Sequence, residues 1–146
     1  MRKSAAIIFA FIISQFQAQQ GAYYQQAAKY KMDIDVNAEK FTYQGKQTLE
    51  YTNNSPDELS VVYFHLYWNA FRKGSMMDQR VQNQGKNADG RLAINGVSRL
   101  ADIPDQEEGS QVVHWIKQNG KEVKFEVQET ILKVYLNEKI KPNSTT

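Results

Sequence analysis

The chain has 146 residues, the size of one ordinary domain. Its 18 Lys and Arg against 16 Asp and Glu give a net charge of +2, and two of the cations, Arg2 and Lys3, sit at the start. The remainder is balanced, so nothing general drives it toward nucleic acid or an anionic membrane. Aromatic residues at 12% and apolar residues at 41% exclude a wholly disordered chain, and the absence of cysteine excludes a disulfide scaffold, a thiolate zinc site and a cysteine nucleophile.

Residues 1–18 read as a secretory signal peptide. Met1-Arg2-Lys3 is a cationic start, Ala5 to Ile13 is apolar without a charge, and Phe16-Gln17-Ala18 places a small residue at a cleavage point. A nine-residue helix rises only about 14 Å, half a bilayer core, so a membrane span is disfavoured. A lipoprotein anchor would need a cysteine. The expectation is export, to the periplasm or beyond, of one domain covering 19–146, with no membrane span after cleavage.

Residues 22–29 suit a short helix or an extended lead-in. From Tyr30 the period is two: Tyr30, Met32, Ile34 and Val36 alternate with Lys31, Asp33 and Asp35, the pattern of a half-buried strand. Phe41 to Thr52 suits a second strand, bulged near Gly45. Asn53-Asn54-Ser55-Pro56-Asp57 is a turn cluster. Leu59 to Trp68 is bulky on both faces and predicts a central strand covered on both sides. Ala70 to Asn95 has little periodicity and predicts a long loop. Asp105 to Gly109 predicts a solvated turn. Val112 to Lys117, Glu122 to Val127 and Leu132 to Asn137 alternate again, with Asn119-Gly120 as a hairpin turn between the first two. Pro142-Asn143-Ser144 predicts a last turn. Six or seven short strands with turns between them predict an all-β fold, an antiparallel β-sandwich.

The chemistry-bearing residues are few. His65 and His114 are far apart, and neither belongs to an H-E-x-x-H pair, so packed histidines are favoured over zinc ligands. There is no G-x-S-x-G and no phosphate-binding glycine loop. Asp33 and Asp35 share a strand face about 7 Å apart but read as a solvated outer surface. Tyr67 and Trp68 suit either a core or a sugar-stacking platform, with the core favoured. No catalytic, cofactor-binding or metal-binding residue is assigned.

Y-T-N-N-S-P-D-E-L (51–59), V-Y-F-H-L-Y-W-N-A-F (62–71) and G-S-M-M-D (74–78) together resemble the N-terminal domain of peptidase family M1, the aminopeptidase N-like zinc metallopeptidases, in its secreted bacterial form. Y-x-M-D-I-D-V (30–36) and L-x-V-x-L-x-x-x-I (132–140) fit that family's strands. The 79–96 stretch and Lys141-Pro142-Asn143 depart from its pattern. The resemblance implies a saddle-like β-sandwich domain, here incomplete, with Tyr51, Phe64, His65, Leu66, Asn69 and Phe71 as structural residues. It also implies a separate catalytic domain of the same polypeptide, carrying H-E-x-x-H, a downstream Glu and zinc, which would take the peptide substrates. None of that machinery is in this sequence, so the chain is expected to be inactive alone. The competing expectation is a free-standing exported module that binds glycan or an envelope protein through the 70–95 segment and the Tyr63/Tyr67 face. An enzyme in its own right is the weakest reading.

Amino-terminal sequencing of the protein recovered from an exporting host is expected to begin at Gln19; recovery of an intact Met1 end would contradict the leader.

Overall fold

The computed structural model describes residues 23–146; the expected leader and its cleavage point lie outside the described residues. The strands are β1 (Ala27–Asn37), β2 (Thr42–Asn53), β3 (Leu59–His65), β4 (Ala93–Ile94), β5 (Val97–Ser98), β6 (Lys117–Gln118), β7 (Lys121–Glu122), β8 (Phe125–Gln128), β9 (Ile131–Ile140) and β10 (Ser144–Thr145). One α-helix, α1 (Met76–Gln84), and 3-10 helices at Tyr67–Phe71, Gly85–Asn87 and Asp105–Glu107 complete the set. The chain is mainly β, in small antiparallel sheets, and no barrel closes among the described residues. It divides into two compact units.

The first unit holds β1, β2 and β10 in that order across one sheet. β1 and β2 pair without interruption from Ala27↔Thr52 to Asn37↔Thr42, so the bulge expected at Gly45 is absent. Gly45 serves close approach instead: a Cβ there would stand 3.0 Å from the Asp33 carbonyl oxygen and 3.2 Å from Ile34 Cγ1. The register puts Tyr30 opposite Leu49, Ile34 opposite Gly45 and Val36 opposite Tyr43, all on one face. That face was expected to be half-buried. It is open: Tyr30, Met32, Ile34 and Val36 are 49–68% exposed. Two strands supply one layer, and a layer cannot bury its own apolar face. Residues 23–26 are extended coil rather than helix.

The far end of β2 is anchored by Asn53, which is fully buried. Its Oδ1 accepts from Gln26 Nε2 (3.1 Å), from the Ser55 backbone N–H (3.0 Å) and from the Ser55 hydroxyl (2.6 Å). Asn54 donates twice: its Nδ2 to the Gln25 carbonyl at 2.8 Å and its backbone N–H to Gln26 Oε1 at 2.7 Å. The Asn-Asn-Ser turn therefore stitches the lead-in before β1 to the end of β2.

The second unit is built on the sheet β3-β9-β8. β9 is its central strand and β3 an edge, which reverses the expectation of a covered central strand at 59–68. The strand stops at His65, and 67–71 turns into a 3-10 helix. Leu66, Val123, Leu132 and Val134 form the buried core, with Val62, Phe64, Val113, Ile116 and Phe125 packed on it. Leu132 and Val134 follow the predicted alternation, but 112–116 is extended without a ladder and turns Val113 and Ile116 inward, leaving Val112 and Trp115 exposed. Asn119 and Gly120 both take positive φ (50° and 83°) and join β6 to β7 as the dipeptide predicts.

The 70–95 stretch is not a structureless loop. Ser75 caps α1, and Gly85 closes it at φ 52° while its N–H reaches the carbonyls of Gln82 and Val81. Val81 is the buried apolar anchor of the helix. Among the described residues no helix is long and apolar enough to cross a membrane.

Changing Ile34 and Val36 together to Thr is expected to change the unfolding free energy, read by urea titration, by no more than roughly 0.5 kcal/mol, because both are exposed, while Leu132→Ala costs about 2–5 kcal/mol. A large loss from the Thr pair would mean that the hairpin face is covered.

Candidate functional site

A well-connected side chain of the second unit is Asn69, buried in the 3-10 helix after β3. Leu66 opens that turn: its N–H donates to the Thr130 carbonyl at 2.7 Å, and its carbonyl accepts from the Asn69 N–H at 3.1 Å. The Asn69 amide then works in both directions. Nδ2 donates to the Glu129 carbonyl (3.1 Å), and Oδ1 accepts from the Gln111 N–H (2.7 Å). One side chain so ties the 3-10 helix to the β8–β9 turn and to the 109–116 segment.

Two residues past that helix, Arg72 and Lys73 meet an acidic turn. Lys73 Nζ lies 3.1 Å from Asp105 Oδ1, Arg72 Nε lies 3.9 Å from Glu108 Oε2, and the Lys73 backbone N–H donates to Glu108. The 105–109 segment, expected to be only a solvated turn, opens with a short 3-10 helix (Asp105–Glu107), and the carboxylates of Asp105 and Glu108 hold the chain entering α1. Ser75 follows. Its hydroxyl donates to the Ala70 carbonyl (2.7 Å) and accepts from the Asp78 N–H (3.2 Å), while Asp78 Oδ2 accepts from the Gly74 N–H (2.8 Å) and from Gln82 Nε2 (3.1 Å). This is a capping box shifted by one residue.

Asp78 is 3% exposed. The Ser98 hydroxyl above all, then the Gly74 N–H and the Gln82 amide, hold its carboxyl below the usual 3.8 against the opposite push of burial. Oδ1 meets no donor at hydrogen-bond geometry, so Ser98 acts as a neighbouring dipole rather than as a formed bond.

Asn69, Arg72, Lys73, Gly74, Ser75, Val127 and Glu129 line a cleft of about 190 Å³. That is below the usual range for a small-molecule site. Its cations face Asp105 and Glu108, and its amide and hydroxyl already bond the backbone. The cleft is a structural joint with its polar atoms committed.

The other feature is aromatic. Tyr67 and Trp68, expected mainly as core, are 70% and 54% exposed, and Tyr63 is 64% exposed. His65 and Tyr67 stack with centroids 5.0 Å apart and planes 14° apart. Trp68 leans on Phe71 at 5.8 Å, and Gly109 lets that pair sit close, since a Cβ there would come within 3.1 Å of Phe71 Cβ. On β8 and β9, Lys133 and Lys124 lie 4.7 and 5.2 Å from the Tyr135 ring centre, and the Tyr135 hydroxyl donates to Glu126. Lys124 first, then Tyr135, holds the Glu126 carboxyl below its usual range. The rings of Tyr63, Tyr67 and Trp68 are exposed, while Lys133 and Tyr135 are half-buried.

His65 and His114 are both exposed, and His114 lies outside any strand. Among the described residues no three His, Asp or Glu side chains gather to hold a metal ion. The residues present do not fit the zinc that the family resemblance implies, and no metal-dependent step is derived for this chain. Asp33 and Asp35 are exposed on one face of β1, but the opposite apolar face is exposed as well, so the alternation does not separate an inner from an outer surface. Sequence reading overlooked α1 and its cap, although Ser75-x-x-Asp78 followed by Gly85 is a readable start and stop. Comparisons of the chain with family models, with curated proteins and with solved structures give no match.

Asn69→Ala is expected to leave the Gln111 N–H and the Glu129 carbonyl without their partner, at roughly 2–3 kcal/mol of unfolding free energy by urea titration; a change near zero would remove Asn69 from its place at the joint.

Proposed function

We propose that this chain is the non-catalytic N-terminal β-sandwich portion of an exported zinc-dependent aminopeptidase-like metallopeptidase. In this reading peptide hydrolysis belongs to a catalytic domain elsewhere on the same polypeptide, and the present residues shape and support it. One observation carries the reading. Of the seven buried polar side chains among the described residues, five lie inside the 51–78 block that bears the resemblance: Asn53, Ser55, Asn69, Ser75 and Asp78. Buried polar groups are kept where they specify a backbone path. The buried polar residues of the block therefore mark turns and caps that fix the local backbone path, which supports a structural role for the motif.

The open face of β1 and β2 supports the same reading. An apolar sheet face of this length calls for a second layer, and further strands or a neighbouring domain of a longer polypeptide would supply one. The saddle-like sandwich of the family is the finer architecture that this reading adopts. Fold likeness alone assigns no activity, so the argument rests on the motif residues and not on strand content.

A second reading has its own observation in the exposed His65–Tyr67 stack. Stacked aromatic rings beside the exposed Tyr63 offer a flat apolar surface that suits the face of a sugar. In that case the chain is a free-standing exported glycan-binding module.

The deciding experiment is to read and express the uninterrupted frame that contains this segment. The metallopeptidase reading expects a downstream H-E-x-x-H and hydrolysis of aminoacyl-4-nitroanilides that chelation abolishes. A stop codon directly after this segment, joined to glycan-array binding that Tyr67→Ala removes, would transfer the assignment to the binding module.

A further inference from the structure

We infer that the free edge of β1 is a self-pairing edge, at which two copies of this chain join β1 to β1, antiparallel, about a two-fold axis through Met32. β1 is the outermost strand of its sheet. It is 11 residues long and carries no Pro, no Gly and no bulge. Natural edges of this length are normally shortened, bent or interrupted, because a straight row of backbone N–H and C=O groups is a template for another strand.

The charges on the outer face of β1 run Lys29, Lys31, Asp33, Asp35. In an antiparallel pair centred on Met32, Lys29 stands opposite the second copy's Asp35, and Lys31 opposite its Asp33. Each pair occurs twice by symmetry. On the apolar face the same register sets Tyr30 against Ile34, Ala28 against Val36, and Met32 against Met32. A slip of one residue would set charged side chains against apolar ones. A slip of two places Lys31 on Lys31 or Asp33 on Asp33. Like charges directly opposite oppose pairing, whereas opposite charges favour it. Met32 is also the midpoint of Ala27–Asn37, so the register that satisfies the charges engages the whole strand. Of these four charges, only Lys29 has an ion-pair partner among the described residues, Glu50 at 3.9 Å, and both are largely exposed. Sequence order, strand length and edge position thus select a second copy as the occupant. The contact is isologous and closes as a dimer.

Charge exchange tests this directly by sedimentation of the chain. Wild type is expected to form a dimer whose dissociation constant rises with salt. D33K/D35K and K29D/K31D each place four like charges on the edge and are expected to self-associate at least about tenfold more weakly. Mixed together they are expected to recover a one-to-one heterodimer, a result that misfolded variants cannot give. A cysteine scan supplies the second readout, because the chain has no cysteine of its own. M32C is expected to form an intermolecular disulfide on mild oxidation. V36C is not, since the two positions would lie about 27 Å apart along the strands. A monomeric wild type, unchanged association of either charge variant, no recovery on mixing, or equal cross-linking at positions 32 and 36 would each overturn the assignment.

Discussion

A β-hairpin turns alternate side chains to opposite sides, so a ribbon with one apolar side needs a second layer. That constraint separates the two units. In the second unit β9 has a neighbour on each side, and Leu66, Val123 and the 113–116 segment pack with Leu132 and Val134 into a core. In the first unit β1 and β2 have strong pairing and an apolar face that stays open. Full burial of a side chain such as Ile or Met is worth roughly 1.5–3 kcal/mol, and about half of that is unused at each of Tyr30, Met32 and Ile34. The hairpin owes its order to the ladder, to the Asn37 carboxamide that accepts from the Lys40 N–H in its turn, and to the Asn53 anchor at its other end.

Much of the strand pattern was legible because period two is a local signal. β1, β2 and β9 follow it, and Asn119-Gly120 specifies its hairpin through the positive φ that both residues accept. What was not legible depends on neighbours. Bulk on both sides of 59–68 suggested a covered strand, yet β3 has a partner on one side only, and Tyr63 and His65 face outward. The alternation at 112–116 suggested a strand, but no ladder forms there, and the inward residues are Val113 and Ile116, three apart. α1 escaped notice for the opposite reason. Its sequence, MMDQRVQNQ, buries little more than Val81, so no apolar stripe announces it, and only the cap residues give it away.

The 51–78 block shows how polar side chains can be committed to structure. Asn53 and Asn69 look like candidate polar ligands in isolation. In place, each spends its amide on backbone and side-chain partners from distant segments. Arg72 and Lys73 look like an anion site ahead of a helix, but Asp105 and Glu108 neutralise them. The described features are turns fixed by buried amides, a capped helix and, in the first unit, an apolar sheet face that is exposed.

Whether that face is built to be covered by more of the same polypeptide is open to a direct chemical measurement. Met32 lies at its centre and is 54% exposed. Its rate of conversion to the sulfoxide by dilute peroxide can be followed by mass spectrometry in this chain and in the full product of the reading frame that encodes it. The proposed reading, in which a longer polypeptide lays a second layer over β1 and β2, predicts oxidation slowed at least about tenfold in that product, in keeping with the dependence of thioether oxidation on access. Equal rates in the two would contradict the central claim and leave the hairpin as a surface exposed in its native setting.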